Sequence, residues 1–289
     1  MFYDYLIAPF VEFGFMQRAL AGSLMLSAGA CPVGVFLMLR RMSLAGDAMA
    51  HAILPGAAAG FLLYGLEILP MTIGGLIAGV IVALGAGAVS RFTIQKEDAS
   101  MAAFYLISLA LGVLIVSLRG SSVDLMHVLF GTVLALNDEA LMLIATIAGT
   151  TLLALAIFWR ALVAECLDPL FLRSVSRLGT PVHFIFLGLV VLNLVGGFQA
   201  LGTLLSVGLM MLPAAAARFW TTRVGPMSAL ALVIGFASCT AGLLLSYHYS
   251  LPSGPAIILS AGVVYLISIF AGPRGLLRAR IRHHRHRTA

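Results

Sequence analysis

The chain has 289 residues, of which 61% are hydrophobic and only 10% charged. Soluble domains carry about 25% charged residues, so composition excludes an ordinary water-soluble globule. The formal net charge of +6 sits in short loops rather than on one continuous face, which does not suit nucleic acid, and the three cysteines, Cys31, Cys166 and Cys239, lie far apart with no C-x-x-C. A disulfide framework and a thiolate metal cluster are thereby disfavoured, and the three read as packing residues.

In chain order, residues 1–16 form an aromatic-rich lead-in containing Asp4 and Glu12. They lack the basic start and small-residue cleavage site of a secretory signal, so an interfacial segment is expected. Apolar runs then recur at 17–39, 48–69, 71–90, 101–118, 140–159, 182–198, 201–217, 227–247 and 255–271. A membrane span takes about 20 apolar residues, so the prediction is an all-α polytopic membrane protein with eight or nine spans. The division around 196–202 is the weakest. One membrane-spanning domain, 17–273, is followed by a basic tail, 274–289.

All lysines and arginines except Arg18 and Arg119 fall in alternate loops. These loops hold Arg40 and Arg41; Arg91 and Lys96; Arg160, Arg173 and Arg177; Arg218 and Arg223; and the tail from Arg274 to Arg287. Basic residues in short loops remain cytoplasmic, which places the C-terminus inside. Nine spans then put the N-terminus outside, and eight put it inside. The tail "RARIRHHRHRTA" contains His283, His284 and His286, but a basic stretch meeting anionic lipid headgroups is the better reading.

The stretch "RRMSLAGDAMAHAILPGAAAGFLL" carries a carboxylate and an imidazole toward the membrane. Asp47 and His51 stand four residues apart, on one face of a helix. Ionisable groups at membrane depth are costly and point to function by default, and an oxygen plus an imidazole nitrogen suits zinc or manganese. Spacing alone serves equally well a capping aspartate and a histidine bonded to a carbonyl. Pro55 and Gly56 favour the metal reading, because backbone freed there can line a pathway but cannot face lipid. Two donors make a weak site, as an ion that must also leave requires.

Other polar residues carry less. Asp124 and His127 form an i, i+3 pair in a loop region, where solvation explains them. His183 and His248 stand alone near span ends, where interfacial placement suffices. "AHAILPGAAAG" and "LMMLPAAAARF" echo each other faintly, as broken helices of a transporter repeat would. H-E-x-x-H and Gly-x-Ser-x-Gly are absent. The single lysine, Lys96, follows Gln95, so no Walker A loop exists and the chain is not itself an ATPase.

"GDAMAHAILPGAAAGFLL" resembles the signature of the metal-ion ABC-importer permeases that move zinc, manganese or iron. The resemblance continues through "SSVDLMHVLFGTVLAL", "ECLDPLFLRSVSRLGTPV", "QALGTLLSVGLMMLPAAAARF" and "LPSGPAIILSAGVVYLIS", in the same order and over most of the chain. It implies a type II ABC-importer-like permease in the bacterial inner membrane that dimerises and pairs with two copies of a separate ATPase. An extracytoplasmic binding protein would deliver the metal, zinc first and otherwise manganese or iron, with no permanently bound cofactor. Asp47 and His51 match the family's metal-coordinating positions. Asp168, Pro169, Phe171, Arg173 and Gly179 match its ATPase-docking segment, where Asp-Pro also reads as a helix start. Two competing classes are a proton-coupled secondary transporter, with Asp47 and His51 relaying protons, and a membrane scaffold that transports nothing.

Overall fold

The computed structural model describes residues 5–42, 45–65, 67–118, 133, 136–168, 172, 174, 176 and 179–276. Among them the chain is all-helical. The helices are α1 (Ala8–Glu12), α2 (Gly14–Leu39), α3 (Ala45–Ala52), α4 (Leu54–Tyr64), α5 (Ile68–Phe92), α6 (Glu97–Leu118), α7 (Asp138–Leu167), α8 (Gly179–Leu201), α9 (Thr203–Arg218), α10 (Val224–Tyr249) and α11 (Ser253–Ala271). Among the described residues eight spans are long and apolar enough to cross a membrane, with α3 and α4 together making one of them. α9 has 16 residues, about 24 Å at 1.5 Å per residue. That is short of a bilayer core, but α9 packs against α2, α8, α10 and α11.

Pairings between helix ends define the traverse. Arg18, near the start of α2, reaches Asp138 at the start of α7 at 3.2 Å. At the opposite end, Arg218 donates to the Met38 carbonyl at 3.5 Å, and the Arg274 amide donates to the Phe219 carbonyl at 3.2 Å. α9 therefore runs from one end of the bundle to the other, and the described residues make nine traverses. Gly202 separates α8 from α9 with a φ of +94°, a backbone state that a side chain would oppose.

α2 and α8 form the centre, and the other long helices wrap them. Inside a membrane, helices associate by close contact rather than by expelling water, so small residues occupy the seams. A Cβ on Gly34 of α2 would strike the Met210 carbonyl of α9, and one on Gly242 of α10 would strike the backbone of Ile257 on α11. Polar residues link the centre as well. Asn193 of α8 donates to Thr151 Oγ1 of α7 at 2.8 Å.

Several sequence expectations shift. α2 begins at Gly14, inside the expected lead-in, because Ala8–Glu12 already forms a short helix and Phe13 is the N-cap. α7 runs on through Leu167, past the end of the apolar run at 159. Asn137 Oδ1 caps the start of α7 by accepting from the Ala140 amide at 2.9 Å. Pro213 lies inside the unbroken α9, so the echo of Pro55 near Leu209 is not matched by a second break.

Candidate metal pathway and coupling elements

Asp47 lies in the first turn of α3 and His51 in its last. Gly46 stands against Met211, with 3.8 Å between Met211 Sδ and a Cβ built on Gly46. Met211 is midway along α9, so the pair lies well inside the bundle's length. His51 Nε2 and Asp47 Oδ1 are 3.9 Å apart. That is too long for a hydrogen bond. It falls within the span of two donors that each sit about 2.1 Å from a shared ion. The Asp47 side chain is 69% exposed on the single chain and that of His51 35%. His51 Nδ1 is buried without a hydrogen-bond partner among the described residues, and the Tyr105 ring of α6 lies 6.5 Å from the imidazole. Among the described residues no cluster of three or more His, Cys, Asp or Glu could hold a metal. The arrangement offers an ion two donors and an open side.

The helix carrying the pair is interrupted at Ile53, and α4 starts at Leu54 with Pro55 in its first turn. Proline has no amide hydrogen, so the His51 carbonyl loses its usual helical donor. Ser108 Oγ of α6 donates to the neighbouring Ala52 carbonyl at 2.8 Å. The break is therefore accommodated against α6. Gly56 packs closely on α5, where a Cβ would meet the Gly74 carbonyl.

Of the expected docking residues, Asp168 is the C-cap of α7 and Gly179 opens α8, buried. Pro169, Phe171 and Arg173 lie outside the described residues, as do Arg119, Asp124, His127 and the tail histidines. The Leu172 amide donates to the Asp168 carbonyl at 3.2 Å and the Ser176 amide to the Leu172 carbonyl at 2.9 Å. This i to i+4 pattern is helical, and Leu172 is buried.

Sequence reasoning missed the ionic node beside this segment. Glu165, in the last turn of α7, accepts at Oε1 from Arg91 at 2.6 Å and from Arg40 at 3.1 Å. The three side chains are 1%, 7% and 8% exposed. Arg40 also donates to His183 Nδ1 at 2.8 Å and lies 4.7 Å above the Phe186 ring. Arginine offers no acceptor, so Nδ1 is the bare nitrogen of that imidazole. His183 is thus a buried partner, 3% exposed, and not the interfacial residue that its position near a span end suggested. His248 does lie at an exposed helix end, 3.0 Å from the Tyr5 carbonyl. No signal in the sequence singled out Glu165, because Glu97, Asp98 and Asp168 also fall in the arginine-rich set of loops.

Among the described residues, a helical bundle with eight helices long and apolar enough to cross a membrane, and a carboxylate–imidazole pair beside a helix interruption, has the architecture of a multi-pass membrane protein. The profile of the ABC 3 transport family matches residues 12–272. The manganese transport system membrane protein MntC of Listeria innocua is 33% identical over 268 residues, covering 92% of this chain and 94% of that protein. The chelated iron transport system membrane protein YfeC of Yersinia pestis is 29% identical over 280 residues, covering 96% and 94%. Among solved structures, PsaBC from Streptococcus pneumoniae in complex with Fab matches with a TM-score of 0.81 at 31% identity, covering 95% of this chain and 97% of that one. The chain belongs to the ABC 3 transport family, the metal-ion ABC-importer permeases.

Proposed function

We propose that this chain is the membrane-spanning subunit of an ATP-driven importer for a divalent transition metal, with Asp47 and His51 as the donors the ion meets in the pathway. The observation that carries this reading is the 69% exposure of the Asp47 side chain in a membrane-length helix. A carboxylate there cannot rest against hydrocarbon. A second copy of the chain covers it, and the pathway runs between the two copies. Arg40, Arg91, Arg218 and Arg274 gather at one end of the bundle, which faces the cytoplasm by the bias of basic residues. The N-terminus is then extracytoplasmic. ATP hydrolysis belongs to a separate subunit in two copies, docked at the segment holding Asp168, Pro169, Phe171, Arg173 and Gly179. An extracytoplasmic binding protein delivers the ion.

Sequence reasoning ranked zinc first. The names of the relatives move manganese ahead, and the borderline N/O donor pair accepts either metal. Reconstitution in liposomes with the partner ATPase and metal-loaded binding protein tests the function. ATP-dependent uptake of manganese, lost in Asp47→Ala, is expected. Uptake driven by a pH gradient without any ATPase would overturn the reading in favour of a secondary transporter. Competition between manganese, zinc and iron in the same vesicles ranks the cargo.

A further inference from the structure

We propose that Glu165 is a positioning residue that transmits the state of the ATPase-docking segment to the metal-bearing helix α3. The inference rests on the docking reading above. Both ends of the segment from Asp168 to Gly179 are fastened to the same two arginines. At its start, Glu165 lies three residues before Asp168 and holds Arg91 and Arg40 at 2.6 and 3.1 Å. At its end, in the first turns of α8, Thr180 Oγ1 accepts from Arg91 at 3.2 Å and His183 Nδ1 accepts from Arg40 at 2.8 Å.

The other ends of these two levers lead to the ion pair. Arg40 is the C-cap of α2, five residues before α3 begins at Ala45. Arg41 adopts a φ of +61°, the Met42 amide donates to the Leu37 carbonyl at 3.0 Å, and the Ala45 amide donates to the Met42 carbonyl at 3.1 Å. Arg91 occupies the last turn of α5, whose Gly74 meets Gly56 just beyond the break at Ile53. A shift of the docking segment must therefore stretch these bonds or carry Arg40 and Arg91 with it, moving the roots of α3 and of the helix that seats α4.

The node also has room for two arrangements. Both guanidiniums share Oε1, whereas Oε2 is buried with no hydrogen-bond partner among the described residues. Rotation of the carboxylate offers each arginine its own oxygen without loss of charge pairing. Coupling between distant sites needs an element with discrete arrangements that both sites bias, and a shared carboxylate between two clamped arginines meets that requirement.

The test uses the full permease with its ATPase and binding protein. Glu165→Gln keeps the shape of the side chain and removes its charge. Expected are normal assembly, normal manganese affinity and unchanged basal ATPase activity, with stimulation by metal-loaded binding protein reduced about tenfold or more, as loss of an element of this kind can weaken coupling. Glu165→Asp, which retains the charge, should restore part of the stimulation. Wild-type stimulation in Glu165→Gln would overturn the proposal. So would a parallel loss of assembly, basal activity and stimulation, because a purely structural clamp predicts that result. If Glu165→Gln does not fold, Glu165→Asp and Arg40→Lys carry the same comparison: reduced stimulation at normal basal activity supports the proposal, and uniform loss overturns it. A wild-type complex that shows no metal-stimulated hydrolysis would instead refute the docking reading itself.

Discussion

Gly56 of α4 and Gly74 of α5 lie backbone against backbone, each α-carbon directed at the other's carbonyl oxygen. A Cβ on either has nowhere to go, because backbone cannot swing aside as a flexible side chain can. Gly74→Val should therefore push α5 away from α4 and destabilise the bundle by roughly 1–3 kcal/mol, the usual cost of overpacking. Thermal unfolding of the detergent-solubilised protein checks this; an unchanged midpoint would mean that the two helices slide apart freely.

Asp47→Ala and His51→Ala should each abolish metal uptake while leaving the fold intact. The two side chains are partly exposed and make no close hydrogen bond with each other, so Asp47→Ala should change stability by no more than about 0.5 kcal/mol. Measuring uptake alongside unfolding separates the two roles. Normal uptake by Asp47→Ala would assign the pair to structure.

Pro55→Ala restores an amide hydrogen that can reach the His51 carbonyl, letting α3 continue into α4. Transport should fall several-fold while thermal stability holds or rises. Pro55 also packs on α6, where a Cβ on Gly112 would come within 3.2 Å of its nitrogen, so the variant should be compared with Gly112→Ala. Transport at the wild-type rate would show that the break plays no part in the pathway.

Phe171→Ala, or charge reversal in Arg173→Glu, should uncouple the complex. Metal would still bind, but metal-loaded binding protein would no longer stimulate ATP hydrolysis or drive import. The basis is the sequence of the segment together with the helical bonds from Asp168 to Leu172 and from Leu172 to Ser176. ATPase assays of the reconstituted complex decide it, since unchanged stimulation in both variants would move the contact elsewhere.

The sequence by itself determined what depends on neighbours along the chain. Apolar runs fixed where the long helices lie, because a segment in lipid must satisfy its own backbone. Alternating arginines marked one set of loops as sharing an end of the bundle. The spacing of Asp47 and His51 put them on one helix face, and Pro55 announced the break that occurs at Ile53. Tertiary structure alone decided what depends on which helices stand side by side. Arg40 and His183 are 143 residues apart, and Arg91 and Glu165 are 74 apart. No local pattern records that α2, α5 and α7 end where α8 begins, so two arginines and an imidazole read separately as loop markers and an interfacial residue, and Glu165 carried no reading of its own. Likewise Pro55 and Pro213 look alike in sequence, yet only the first ends a helix. Local chemistry creates the opportunity for a break, and the packing around it decides whether the helix takes it.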